Sequence, residues 1–287
     1  MIKSCSQFLS KILIPSAMVG ITLIGCGSPD TTQQQGDGTL ITPPDMVQGG
    51  GFLQLMADGE DFIIEGFETK DGWDINFDHV YITVNDVIAY QTNPPFEAES
   101  DAPLEAQESV NLIVSPTTVD LMLGRENNPA ILVTEIEAPP GHYNAISWQM
   151  YNQADGASSL RLLGRAEKDG QEIQFNLNFP MNIAYTCGEF VGDERKGIVN
   201  EGETAEIHMT FHFDHIFGDA GKDDNHEVNV NAPGFEPMAN LAENGTLDVD
   251  LETLQNNLSE EDYQRLENSI LELGHVGEGH CRITEDI

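Results

Sequence analysis

Between Phe52 and about Phe213 the chain alternates apolar and polar residues with a period of two, and turn-forming residues interrupt the pattern at short intervals. Ile173-Gln174-Phe175-Asn176-Leu177-Asn178-Phe179 is the clearest run, joined by Gly72–Asp78, Val80–Val84, Leu112–Val114, Val119–Leu121, Ile131–Ile136, Ala145–Met150, Leu160–Leu163 and His208–Phe217. A period of two places alternate side chains on opposite faces, so these runs read as strands with one buried face. Asn93-Pro94-Pro95, Pro139-Pro140-Gly141 and Asp169-Gly170 punctuate them, and Asp-Gly between alternating runs is the signal of a type I′ hairpin. The expectation is a mainly β protein, an antiparallel β-sandwich over residues 51–235.

The pattern changes after residue 235. Leu247, Leu251, Leu254 and Leu258 recur at helical spacing, and Ser259-Glu260-Glu261-Asp262 has the form of a helix start ahead of Tyr263, Leu266, Ile270 and Leu273. Residues 236–287 are therefore expected to form a small C-terminal helical segment and a His/Gly-rich tail packed on the sandwich.

Charge restricts the partners. With 12 Lys+Arg against 49 Asp+Glu, the formal net charge is −37. Phosphate backbones and anionic headgroups would repel such a surface, which excludes nucleic-acid binding. Divalent cations and a salt-rich surrounding, where repulsion is screened within about 8 Å, suit it better.

The first 25 residues have the form of an export signal: Lys3 and Lys11, then an apolar stretch from Ile12 to Ile24. It ends in Leu23-Ile24-Gly25-Cys26, which resembles the lipobox of bacterial lipoproteins. That resemblance implies cleavage before Cys26 and lipidation of its thiol. It further implies a cell-envelope location and a membrane attachment through the lipid anchor alone, with room for an envelope protein as partner. In a two-membrane bacterium, Gly27 after the cysteine points to the outer membrane. Residues 26–50 are polar and turn-rich, as a flexible tether would be. Of four cysteines, Cys5 leaves with the signal and Cys26 takes the lipid, so Cys187 and Cys281 remain. In an oxidising compartment a disulfide between them is the simplest outcome; a pair of thiolate metal ligands is the alternative.

Glu65-Gly66-Phe67 to Val87, then Val119-Asp120-Leu121 and Ala138-Pro139-Pro140-Gly141-His142-Tyr143, resemble the plan of secreted bacterial β-sandwich domains such as the periplasmic copper-binding MbnP-like lipoproteins. The resemblance covers about a third of the chain. It implies the fold and the compartment, and no metal ligand of that family is matched residue by residue.

Six of the eight histidines fall in the last eighty residues, in two main clusters. One is His212-Phe213-Asp214-His215, preceded by His208; the other is His275-Val276-Gly277-Glu278-Gly279-His280. With Phe211 and Phe213 inward, His212 and Asp214 share a strand face about 7 Å apart, while His208 stands about 13 Å from His212. His215 joins them only if the chain turns after Asp214. The three glycines of the second cluster make it a loop free to wrap. If the clusters meet, His212, Asp214, His215, His275, Glu278 and His280 offer nitrogen and oxygen ligands suited to zinc or copper. The expected function is then capture, delivery or structural bracing by a bound transition metal. The competing expectation is a structural or interaction lipoprotein whose histidines only pack and cap. A zinc hydrolase ranks third: His212-x-Asp214-His215 resembles half of the metallo-β-lactamase signature, but Thr210 stands where that family has a further histidine.

Overall fold

A computed structural model describes residues 49–125, 129–153, 158–188, 196–277 and 279–285 of the 287. The signal segment, the Cys26 lipidation site and nearly all of the expected tether lie outside the described residues. The elements run β1 (Gly51–Asp58), α1 (Glu60–Glu65), β2 (Phe67–Glu68), β3 (Asp74–Thr92), β4 (Ala106–Ile113), β5 (Thr117–Asp120), β6 (Ile131–Ala138), β7 (Gly141–His142) and β8 (Ala145–Met150). There follow β9 (Leu160–Lys168), β10 (Gln171–Phe179), β11 (Ile183–Cys187), β12 (Ile198–Val199), β13 (Thr204–Phe211), α2 (Asp214–Phe217) and α3 (Glu227–Asn231). The chain closes with α4 (Glu236–Ala239), β14 (Thr246–Asp250), α5 (Leu251–Asn257), α6 (Glu260–Leu271), β15 (Gly274–Val276) and β16 (Gly279–Glu285).

The protein is mainly β, as the alternation predicts, and Asp169 and Gly170 both take positive φ (52° and 79°) in the hairpin between β9 and β10. The two-sheet antiparallel sandwich is corrected. Most of the strands form one large curled mixed sheet, a half-barrel ordered β14-β10-β9-β3-β8-β11-β16-β15-β13-β1-β6 with β2, β4 and β5 pairing β3 off this path, while β7 and β12 pair as a separate two-stranded sheet. Two pairings, β1 with β13 and β10 with β14, are parallel. Parallel neighbours need long crossovers, so nothing local in the sequence announces them. β3 runs for 19 residues and bends through several register shifts, reaching β2, β9, β5, β8 and β4 in turn.

The stretch after residue 235 supplies three strands as well as helices. Leu247 lies in β14 rather than a helix, because its alternating neighbours Val249 and Asp248 extend the sheet before α5 begins. α6 starts as the sequence predicts, with the Ser259 hydroxyl accepting the Asp262 N–H at 3.1 Å. The glycine-rich tail is not a free loop. It is the β15–β16 hairpin, turned at Gly277, where φ is 55°. β16 pairs with β15 at His280 and with β11 from Cys281 onward, so this strand carries the sheet around its bend. Cys187 and Cys281 sit opposite one another in that register and form the disulfide.

An aromatic wedge fills the concave side. Phe67, Phe77, Phe175, Phe217 and Phe235 lie in mutual ring contact with centroids 5.6–6.4 Å apart, and Phe213 touches Phe77 at 6.2 Å. Each fully buried ring contributes about 2–3 kcal/mol of apolar burial. Phe213, Ile216 and Phe217 fix α2 in this wedge, which dictates where His215 points. No helix of the described residues is long and apolar enough to cross a membrane.

Candidate metal centre

The two histidine clusters meet where β13 ends. β13 and β15 pair antiparallel with Thr210 opposite His275, and the ladder continues as the His212 N–H donates to the Leu273 carbonyl at 3.1 Å. This register stacks the His212 and His275 rings face to face, centroids 4.2 Å apart. The strand then breaks. His215 N–H donates to the His212 carbonyl at 3.3 Å, and Gly218 (φ 69°) stops α2 after one turn. The chain therefore turns before Asp214, not after it, and a three-residue step in a tight turn brings His215 to the same side as His212. His215 stands edge-on to both other rings, at 5.8 Å from His212 and 5.2 Å from His275.

One nitrogen from each of His212, His215 and His275 lies within 4.8 Å of the others. Tetrahedral zinc with bonds of 2.0–2.1 Å needs nitrogens about 3.3 Å apart, so the stacked His212 and His275 rings would have to reorient to share one ion. The donors are also prepared for a cation. The His275 Nε2–H donates to the Glu272 carbonyl at 2.9 Å, which leaves the Nδ1 lone pair bare. That Nδ1 and the His212 Nε2 are buried and make no hydrogen bond. A buried lone pair without a donor costs about 1–3 kcal/mol unless a ligand repays it. A bond of this form, imidazole N–H to a main-chain carbonyl, is how metal-bound histidines are usually oriented. Burial pushes the His275 pKa down to about 3, helped by repulsion from His212 and His215, and burial lowers that of His215 as well. Both rings therefore stay neutral, with lone pairs available, at ordinary pH.

The other expected ligands are placed differently. Asp214 is buried at the start of α2, with Oδ2 at 3.3 Å from the Lys222 ammonium, and lies outside the converging set. The early turn that recruits His215 is what carries Asp214 away. His280 pairs across the hairpin with His275, its ring 5.2 Å away, but its side chain is exposed at the rim. Glu278 lies outside the described residues. His208 is apart from the centre, between Asp58 (Nδ1 to Oδ2, 3.4 Å) and Glu206 (Nε2 to Oε2, 3.3 Å).

Sequence reasoning missed Glu60. Its Oε1 stands 3.7 Å from the His212 Nε2, outside the group in which the three histidines converge within 4.8 Å. The parallel pairing of β1 with β13 sets Asp58 opposite Thr210, so the chain leaving β1 passes beside His212. The only local signal was a Gly-Glu pair ending an alternating run, which is too common to single out.

Gly274 allows the close approach. A Cβ there would meet three ring carbons of Tyr185 at 2.8–2.9 Å. Gly274→Ala is expected to cost about 1–3 kcal/mol by overpacking and to shift His275, weakening zinc binding alongside the denaturant midpoint. Unchanged values of both in a titration and a urea melt would contradict this.

Fold and site together define a mainly β protein with a buried three-histidine cluster able to hold a metal. No family model, curated protein or solved structure matches the chain.

Proposed function

We propose that this protein is a lipid-anchored binder of a transition metal, zinc or copper, in the bacterial cell envelope, where it captures, hands on or is braced by the ion. The observation that carries the metal reading is the bare, buried Nδ1 that the Nε2–H bond to the Glu272 carbonyl leaves on His275, a residue grouped with His212 and His215. Three neutral imidazoles suit zinc or copper(II) and are poor ligands for calcium or magnesium. The lipobox-like Leu23–Cys26 segment and the resemblance to MbnP-like lipoproteins support the location. The Cys187–Cys281 bond agrees with an oxidising compartment.

Elemental analysis of protein purified from its native envelope, followed by titration of the stripped protein, tests this reading. About one zinc or copper per chain is expected, and a folded chain that takes up neither would refute it. A Cys26→Ser form is expected to leave the membrane fraction.

A further inference from the structure

We infer that Glu60 is the fourth ligand of this centre, so that the metal sits in a closed site of three nitrogens and one carboxylate oxygen, a holding site rather than a hydrolytic one. The inference rests on the metal reading above and adds to it the ligand that decides what the bound ion can do. Glu60 Oε1 is 3.7 Å from the His212 Nε2, a nitrogen that is buried and makes no hydrogen bond. A cation between the two would bond both at about 2.0–2.2 Å, a span that this separation accommodates.

The backbone is built to put the carboxylate there. Glu60 takes φ 61°, a left-handed conformation that costs a non-glycine residue about 1–3 kcal/mol and persists only where the surroundings impose it. The surroundings do impose it. The Asp58 Oδ1 accepts the Glu60 N–H at 3.4 Å, and Gly59 is so tightly enclosed that a Cβ would meet Ile63 at 2.6 Å and Phe213 at 3.0 Å. Phe213 is the residue next to His212, so the turn carrying the carboxylate and the turn carrying the imidazole are packed on one ring. Of the remaining candidates, Asp214 meets Lys222 through Oδ2 while its Oδ1 is buried without a hydrogen bond, and His280 is exposed.

Charge and coordination follow. Three neutral imidazoles and one carboxylate reduce a dication to a net +1 in a partly buried site, and they fill the tetrahedron. A hydrolytic zinc keeps one position for water, and here Glu60 takes that position. The oxygen also favours zinc or copper(II) over copper(I), which selects softer sulfur donors.

Cobalt(II) serves as the spectroscopic probe, with zinc competition for affinity, on the intact chain and on Glu60→Ala and Glu60→Gln. The intact protein is expected to give the intense visible bands of a four-coordinate ion, unchanged by azide. Glu60→Ala is expected to bind zinc about 10–100-fold more weakly and to give a cobalt spectrum that azide shifts, since the open position then accepts an outside anion. Glu60→Gln, which keeps the shape of the side chain, is expected to lose affinity in the same direction. If the intact protein binds cobalt and Glu60→Ala matches it in affinity and azide response, Glu60 is not a ligand and the three-histidine site stands alone. Weaker binding without azide sensitivity would make Glu60 a positioning residue and overturn the assignment. An intact, folded chain that binds neither ion removes the metal reading and this inference with it.

Discussion

His275→Ala is expected to remove most of the metal-dependent stabilisation. In the intact protein, zinc at a thousandfold excess over its Kd contributes about 4 kcal/mol to folding, which for a chain of this size raises Tm by about 8–16 °C. Removing a ligand costs more than removing the groups that merely orient one, and those already cost 10–100-fold, so the variant should bind more than about a hundredfold more weakly. Thermal melts with and without zinc check this; a variant whose Tm still climbs as in the parent would show that His275 does not hold the ion.

The same substitution changes how the metal-free protein responds to acid. An unfolded chain protonates histidine near pH 6.5, whereas burial and the neighbouring imidazoles hold folded His275 neutral down to about pH 3. Between these values the unfolded state binds the extra proton, so the folded state loses stability as pH falls from 6.5 towards 3 and keeps it in full above 6.5. The loss from this residue is on the order of 4 kcal/mol over the window. His275→Ala removes that slope, so denaturant midpoints of the metal-free forms should converge, or cross, on acidification. Parallel curves for parent and variant would mean that His275 is not kept neutral by the fold.

How far the sequence disclosed this centre depended on whether the relevant geometry was local. The turn at Asp169-Gly170, the cap at Ser259 and the buried face of β10 are set by neighbours within a few residues, and they are read directly from the pattern. The meeting of the two histidine clusters was legible only as a density of imidazoles in distant segments. The structure supplies the reason: Thr210 pairs with His275. Two features were hidden for different reasons. Glu60 reaches the centre through a parallel pairing across about 150 residues, and parallel registers leave no turn signature. Asp214 and His215 exchanged places because α2 begins one residue earlier than strand periodicity implies, packed there by Phe213 and Phe217 against the aromatic wedge. The glycines of the tail serve the sheet rather than loosen the chain. Gly277 makes a turn, while Gly274 makes room for the Tyr185 ring.

Loss of the Cys187–Cys281 bond, in a Cys187→Ser, Cys281→Ser double variant, is expected to have the largest effect on stability. The bond closes a loop of 94 residues, worth about 4–5 kcal/mol through the restricted unfolded chain, or a Tm lower by about 10–18 °C. Its position makes it matter to the metal as well. Among the described residues β16 pairs with β11 on one side and with β15 on the other, and β15 carries His275. Without the crosslink the hairpin is held to β11 by its ladder and by the packing of Gly274 on Tyr185, so His275 is less well placed and zinc should bind at least about tenfold more weakly. Binding linkage is reciprocal, so the ion must favour the oxidised form by the same factor by which the disulfide favours the ion. Zinc should therefore protect the bond against a thiol reductant in the parent and give no protection in His275→Ala, read as free thiols released over time. Equal protection in both proteins would place the coupling somewhere other than the hairpin, because the strand that closes the disulfide and the strand that presents the imidazole are two arms of one turn.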